Sequence, residues 1–385
     1  MRRVAAGVSL ALVLTAAAYA AEPRARDLGI PFDGVPGPLN AITDVAGVTV
    51  GEVTLIDSKD PRHLVRTGVT AILPRGLGSI TRPVFAGSAS LNGAGEMTGA
   101  AWVEESGLLD GPVTITNTNA VGVVRDAVIQ WRLKHKPVDP SGDSWSLPVT
   151  AETWDGYLND MNGFHVRAEH AFAALDAARG GPVGEGNVGG GTGSICHEFK
   201  GGTGTASRRT RIDGHDYTVG VLVQANYGVR DTLTIAGVPV GRHLQDHRVV
   251  YPGDTVPADR GSIVVVVATD APLLPHQLKR LARRATLGLG RTGSYGGNSS
   301  GDLFLAFSTG NRDAAAGQRS ASAQLLDNGR LDALFLGTVE ATEEAIVNAL
   351  VAAHVLQGPD GHQAVAIPHA ALRDVLRRYH RLVTP

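Results

Sequence analysis

Asp259-Arg260-Gly261-Ser262-Ile263-Val264-Val265-Val266-Val267-Ala268-Thr269-Asp270 holds five β-branched residues in succession, Ile263 to Val267. Such a run reads as a strand buried on both faces. A glycine and then a serine stand directly before it. Glycine has no Cβ, so its carbonyl is open to close approach and its backbone tolerates strained geometry. That arrangement suits a cut at Gly261–Ser262. The Ser262 hydroxyl would attack the Gly261 carbonyl, move the acyl group from nitrogen to oxygen, and leave an ester for water to hydrolyse. Ser262 would then be a chain end, with a hydroxyl and a free amine on one residue. An unperturbed α-amine titrates near about 7.7–8.0, so it can serve as a base at neutral pH. A nucleophile that carries its own base is one route to acyl transfer. The same Gly-Ser pair is also an ordinary turn entering a strand, so this stretch alone leaves both readings open.

The 385-residue chain supports a sizeable core, with 43% hydrophobic and 19% charged residues. Glycine is abundant, at 49 residues, and aromatics are scarce, at 5%, which implies many tight turns and close backbone contacts. A net charge of −2 points to neither a nucleic acid nor an anionic membrane surface. Arg2 and Arg3 precede an apolar run, Val4 to Ala18, that is too short to span a membrane. Ala18-Tyr19-Ala20 then fits a cleavage signal. Residues 1–20 therefore read as a signal peptide, and the mature chain as an exported, periplasmic or secreted protein that starts at Ala21. Cys196 is the one cysteine, so no intrachain disulfide can form. It reads as a small buried residue rather than a nucleophile.

Taken in order, Val45 to Leu55 suggests a strand pair joined by a turn, and Val69–Leu73 and Val113–Thr118 suggest strands. Val121–Leu133 and Val166–Ala178 read as helices. Residues 135–147 read as a loop and 181–205 as a glycine-rich centre. Tyr217–Ala225 reads as a strand. Pro275 opens a helix to about Gly290, with Leu278, Leu281, Ala282, Ala285 and Leu289 on one face. Leu303–Ser308 reads as a strand and 338–356 as a long helix. Strands and helices mix without strict β-α-β alternation, which favours a layered α+β fold in one domain.

Several motif matches fail on context. Gly184-Glu185-Gly186-Asn187-Val188-Gly189 fits G-x-G-x-x-G, but no strand precedes it. Lys200 follows Phe199 rather than glycine, so no phosphate loop is formed. His243 and His247 are four apart, but prolines nearby leave little room for a helix, and no glutamate follows the first histidine. Gly297-Asn298-Ser299-Ser300-Gly301 fits G-x-S-x-G, but the strand follows the motif instead of preceding it, so Ser299 is a poor nucleophile. Ser300 and Asp302, two apart where a strand begins, share a face. They could orient a nucleophile and its proton, or simply form a solvated strand start.

Together these stretches are more telling. Leu28-Gly29-Ile30-Pro31, Gly37-Pro38-Leu39-Asn40-Ala41-Ile42-Thr43-Asp44-Val45, Leu91-Asn92-Gly93, Glu152-Thr153-Trp154-Asp155-Gly156, Gly186 to Gly193, Phe199-Lys200-Gly201-Gly202, Gln224-Ala225-Asn226-Tyr227-Gly228 and Gly261 to Leu273 resemble, in order, the DmpA/β-aminopeptidase family. The resemblance runs from about residue 26 to about 370. It implies a self-processing amino-terminal-nucleophile hydrolase with a four-layer αββα sandwich. Such enzymes release amino-terminal residues from small peptides, amides and esters, need no cofactor or metal, and assemble as homo-oligomers.

The resemblance also assigns roles. Ser262 matches the nucleophile exposed by cleavage after Gly261, which divides the mature chain into 21–261 and 262–385. Asn226 matches the oxyanion-hole asparagine. Ser300 and Asp302 match the pair that assists proton transfer, where some relatives carry glutamate at the acid. Glu152 matches the carboxylate that receives the substrate ammonium. Trp154 stands where some relatives have an oxyanion-donating tyrosine. Its indole N–H can also donate, Tyr157 is the alternative donor, and Trp154 can equally be an aromatic wall. Two other classes remain open: an acetyltransferase of the ornithine acetyltransferase type, against which Ser262 and the export signal argue, and a non-catalytic exported binding protein of the same fold.

Overall fold

The β-branched run forms the strand Ser262–Thr269, buried along its whole length. In this computed structural model the described residues are 22–136, 145–251, 259–312 and 321–383. The signal segment 1–20 and the expected new start at Ala21 lie outside them. His215–Asn226 pairs antiparallel with the central strand on one side, and Gly301–Ser308 pairs parallel on the other. Gly202–Ile212 lies beyond the first; Val84–Gly93 and Leu108–Leu109 lie beyond the second, completing a six-stranded sheet. A four-stranded sheet is built from Thr49–Asp57, Val65–Leu77, Val113–Asn117 and Val149–Thr153.

The two faces of the central strand belong to different cores, because successive side chains alternate. Val264, Val266 and Ala268 share a core with Ile72, Val113, Ile115 and Val149 of the four-stranded sheet. Ile263, Val265 and Val267 share another with helices Pro275–Arg291 and Asp332–Val351, through Leu278, Leu281, Ala345 and Ile346. A third core joins Val69, Ala71 and Leu73 to helices Val121–His135 and Ala168–Asp176. The layers run helix, sheet, sheet, helix, which is the αββα sandwich. Each fully buried valine or isoleucine contributes about 1.5–3 kcal/mol, so both cores fix the height at which Ser262 enters the sheet. Among the described residues no helix is long and apolar enough to cross a membrane.

Some element boundaries differ from expectation. Residues 45–55 are not a strand pair: a turn leads into the single strand Thr49–Asp57, whose partner is Val65–Leu77. The long helix spans Asp332–Val351 rather than 338–356. It ends early because His354 and Asn187 exchange hydrogen bonds, Asn187 Nδ2 to His354 O at 2.9 Å and His354 N to Asn187 Oδ1 at 3.1 Å, which draws the chain off the axis. The glycine-rich centre gives way at Gly202 to an eleven-residue strand. His243 and His247 follow the short turn Val240–Arg242 and do not share a helix, and His247 has φ +53°.

Candidate active site

Strand register brings the expected residues together. Ser262 lies directly opposite Asn226 on one neighbour and Gly301 on the other. Ser300 and Asp302 therefore flank the position beside Ser262, which is 4% exposed. The residue before Ser262 is confined to glycine by contact. A Cβ built on Gly261 would stand 1.7 Å from Asn226 O and 2.7 Å from Tyr227 Cα. The Gly261–Ser262 bond thus lies pressed against the Asn226-Tyr227-Gly228 turn.

Asn226 is held from two sides. Its Oδ1 accepts from Ile195 N at 2.7 Å, and its Nδ2 donates to Trp154 O at 2.7 Å. These partners fix which way the amide points, and among the described residues the second Nδ2 proton has no acceptor. The loop behind Ile195 is braced by Lys200. This buried ammonium donates to the carbonyls of Ser194 at 2.8 Å, Gly201 at 2.7 Å and Gly191 at 3.3 Å. Burial lowers it to about 7. No role for Lys200 is expected from sequence alone; its signal is a lysine amid glycines whose carbonyls are free to converge on it.

Ser300 Oγ donates to Asp302 Oδ1 at 2.6 Å, so the two-residue spacing does produce a hydroxyl–carboxylate pair. Both are buried, and Asp302 Oδ2 has no hydrogen-bond partner among the described residues. Burial pushes the Asp302 carboxyl up to about 6; the Ser300 hydrogen bond opposes this and the nearby Asp259 charge adds to it. Asp259, also without an assigned role in the sequence reading, accepts from Gly228 N at 2.8 Å through Oδ1. Ser299, by contrast, sits in the turn before the Gly301–Ser308 strand, not after a strand.

Glu152 lies near the end of Val149–Thr153. Its Oε1 accepts from Glu96 N at 2.9 Å, and its Oε2 accepts from Thr118 Oγ1. Burial raises its carboxyl, opposed by these two hydrogen bonds, while the Glu96 charge adds to the rise. A Cβ on Gly95 would stand 3.2 Å from both Glu152 Oε1 and Gly301 Cα, so the carboxylate lies within a residue's width of the strand beside Ser262. Among the described residues no lysine or arginine pairs with it. A buried carboxylate so placed is suited to an incoming ammonium.

Trp154 and Tyr157 belong to an aromatic group with Tyr251. The Trp154 and Tyr251 rings are 6.0 Å apart, Tyr157 meets Tyr251 edge-on at 5.1 Å, and Tyr157 stacks on His362 at 4.2 Å. The Trp154 indole Nε1 is folded over Gly156, 2.9 Å from where a Cβ would stand. Its contact with Asn226 is through the backbone carbonyl. Burial also raises the Cys196 thiol, which removes it as a nucleophile. Among the described residues no cluster of histidine, cysteine, aspartate and glutamate could hold a metal.

The chain as a whole is similar to known proteins. The model for peptidase family S58 matches residues 40–364. The β-peptidyl aminopeptidase BapA of Sphingosinicella microcystinivorans is 53% identical over 391 residues, covering 96% of each chain. That of Sphingosinicella xenopeptidilytica is 47% identical, covering 96% of this chain and 94% of its own. Among solved structures, the L-aminopeptidase D-Ala-esterase/amidase of Ochrobactrum anthropi superposes with a TM-score of 0.88 at 49% identity, covering 94% of this chain and all of that one. It is described as a prototype for the serine aminopeptidases and a variant of the Ntn hydrolase fold. A β-aminopeptidase from a Burkholderia species gives 0.84 at 48% identity, covering 92% and 99%.

Proposed function

The chain belongs to peptidase family S58, and from that premise we propose that it is an exported aminopeptidase that cuts itself at Gly261–Ser262 and uses the freed Ser262 as its nucleophile. In the cut, Ser262 Oγ bonds to the Gly261 carbonyl carbon and the Gly261 C–N bond breaks. The nitrogen takes the proton and becomes the Ser262 amine. Water then cleaves the ester, giving a Gly261 carboxylate and a free hydroxyl. The pieces 21–261 and 262–385 stay together, because the central strand is the shared wall of two cores.

In turnover, the substrate ammonium pairs with Glu152, which selects unblocked amino termini. Ser262 Oγ attacks the scissile carbonyl, with its own amine or the Ser300–Asp302 pair taking the proton. The spare Asn226 N–H meets the oxyanion; one such donor contributes about 3 kcal/mol. The leaving amine departs and water hydrolyses the acyl-enzyme. Substrates are small peptides, amino-acid amides or esters, and the processed heterodimers assemble as a homo-oligomer. Since close relatives bear the name β-peptidyl aminopeptidase, amides of β-amino acids head the substrate panel, beside L- and D-α-amino-acid p-nitroanilides.

The observation that carries this reading is the Gly261–Ser262 bond itself, wedged against the turn that bears Asn226, with no room for a side chain. Intact mass of purified protein should give two pieces starting at Ala21 and Ser262. Ser262→Ala should give one uncut chain, with activity lower by more than about 10⁴-fold. A processed, active Ser262→Ala protein would overturn the assignment.

A further inference from the structure

Asp259 stands three residues before Ser262 and is 6% exposed. Its Oδ1 accepts from Gly228 N at 2.8 Å, on the same turn that carries Asn226. Two residues on, Gly261 lies against the Asn226 carbonyl, so the segment 259–261 is tied to this turn at both ends. On its other side Asp259 meets Gly297, where an added Cβ would stand 2.5 Å from Asp259 Cβ and 2.9 Å from its Oδ2. Gly297 O accepts from Ser300 N at 2.9 Å. One side chain therefore touches both turns that bear the machinery.

That contact is costly in an uncut chain. Asp259 Oδ2 is buried with no hydrogen-bond partner among the described residues, and so is Asp302 Oδ2. Asp302 feels the Asp259 charge, as do Cys196, His197, Tyr227, Tyr251 and Tyr295. Two neighbouring buried carboxylates, each with an idle oxygen, are unfavourable as fold elements. Cutting turns residues 259–261 into a chain end that carries a new Gly261 carboxylate beside Asp259.

We propose that Asp259 is a positioning residue for the self-cleavage step: its grip on the Gly228 N–H holds the Gly261 carbonyl at Ser262, and it leaves the site with the cut end, taking no part in peptide turnover. This rests on the self-cleavage reading above. The test is cell-free synthesis of the full chain with a chase followed by intact mass. Asp259→Ala is expected to cut at least tenfold more slowly. Asp259→Asn, which keeps an acceptor at the same place, is expected to cut within threefold of the wild-type rate. Gly297→Ala, which pushes a methyl into Asp259, is expected to slow the cut severalfold. Once processed, Asp259→Ala should match wild-type kcat/KM on an amino-acid p-nitroanilide within twofold. Cutting of Asp259→Ala at the wild-type rate overturns the proposal. So does an Asp259→Asn chain as slow as Asp259→Ala, or an equal loss in turnover after processing. If Asp259→Ala does not fold, the isosteric Asp259→Asn and Gly297→Ala chains decide alone: a slow Asp259→Asn or an unslowed Gly297→Ala sinks it. If the wild-type chain is never cut at Gly261–Ser262, the function reading itself fails, and this one falls with it.

Discussion

Two buried polar clusters hang on the same six-stranded sheet, and they are built on opposite terms. Around Glu344, every carboxylate oxygen is used. Oε1 accepts from Arg26 Nε at 2.7 Å and Asn40 Nδ2 at 2.6 Å; Oε2 accepts from Arg26 Nη2 at 2.8 Å and pairs with Arg208 Nη2 at 2.7 Å. Burial pushes this carboxyl up, but the Arg26 hydrogen bond and the Arg208 and Arg26 charges more than offset it, leaving it below its ordinary value. Around Ser262, burial is just as deep, yet among the described residues Asp302 and Asp259 each keep an idle oxygen and Glu152 lacks a cation. Burial of charge alone therefore does not mark a site. What separates these two clusters is unused hydrogen-bonding capacity, which a fold gains nothing by leaving unused.

The contrast breaks first at Arg208. Replacing it with methionine leaves Glu344 and Glu340 buried with too few partners. Removing one member of a buried pair costs about 3–5 kcal/mol. Urea unfolding of Arg208→Met, in the uncut Ser262→Ala background, should lose that much, while kcat of the processed single variant stays at the wild-type value. A loss under about 1 kcal/mol would mean that the satisfied cluster is not what stabilises this end of the sheet.

That cluster also explains what the sequence concealed. The strand Gly202–Ile212, whose first residues fall in the glycine-rich centre 181–205, has no apolar alternation to betray it. Gly204 is glycine because a Cβ would stand 2.0 Å from Ala345 O of the packed helix. Arg208 is buried through ion pairs rather than apolar contact. Hydrophobic periodicity cannot see a strand buried by close backbone approach and by charge. The central strand, five β-branched residues long, was legible at once, as were the apolar face of Pro275–Arg291 and the Ser300–Asp302 spacing. Ser262, Asn226 and Glu152 were legible as a set only through family resemblance. They come from three strands, and nothing in their spacing announces that register places Asn226 opposite Ser262. Lys200 and Asp259 stayed hidden because their significance lies in which atoms they face.

The second test is smaller and turns on pH. The Asp302 value is raised in the folded chain to about 6, above its ordinary 3.8. Its contribution to stability is therefore full below the unfolded value and is lost as pH rises through about 6. Glu344 runs the other way: its folded value is lowered, so its contribution is present above the unfolded value and lost as pH falls through the folded one. Asp302→Asn in the uncut Ser262→Ala background should therefore be more stable than its parent at pH 7.5. The gain should shrink between pH 6 and 4 and vanish below that. Urea midpoints across this range decide it. A gain that does not depend on pH would show that the idle oxygen of Asp302 bears no charge cost.

The smallest effect is expected at Trp154. The side chain lies over Gly156 and against Tyr251, while the group that touches Asn226 is the Trp154 backbone carbonyl, which no substitution removes. An indole that acted as oxyanion donor would contribute on the order of 10²–10³ in kcat, the same as proposed for Asn226. An indole that only walls the pocket contributes packing, and phenylalanine keeps most of that. Trp154→Phe should thus retain kcat within about threefold, with any loss appearing in KM. A fall of 10² in kcat at unchanged KM would move the oxyanion donor from the asparagine side of the nucleophile to the aromatic side. The unsatisfied character of the site would then include the ring as well as the carboxylates.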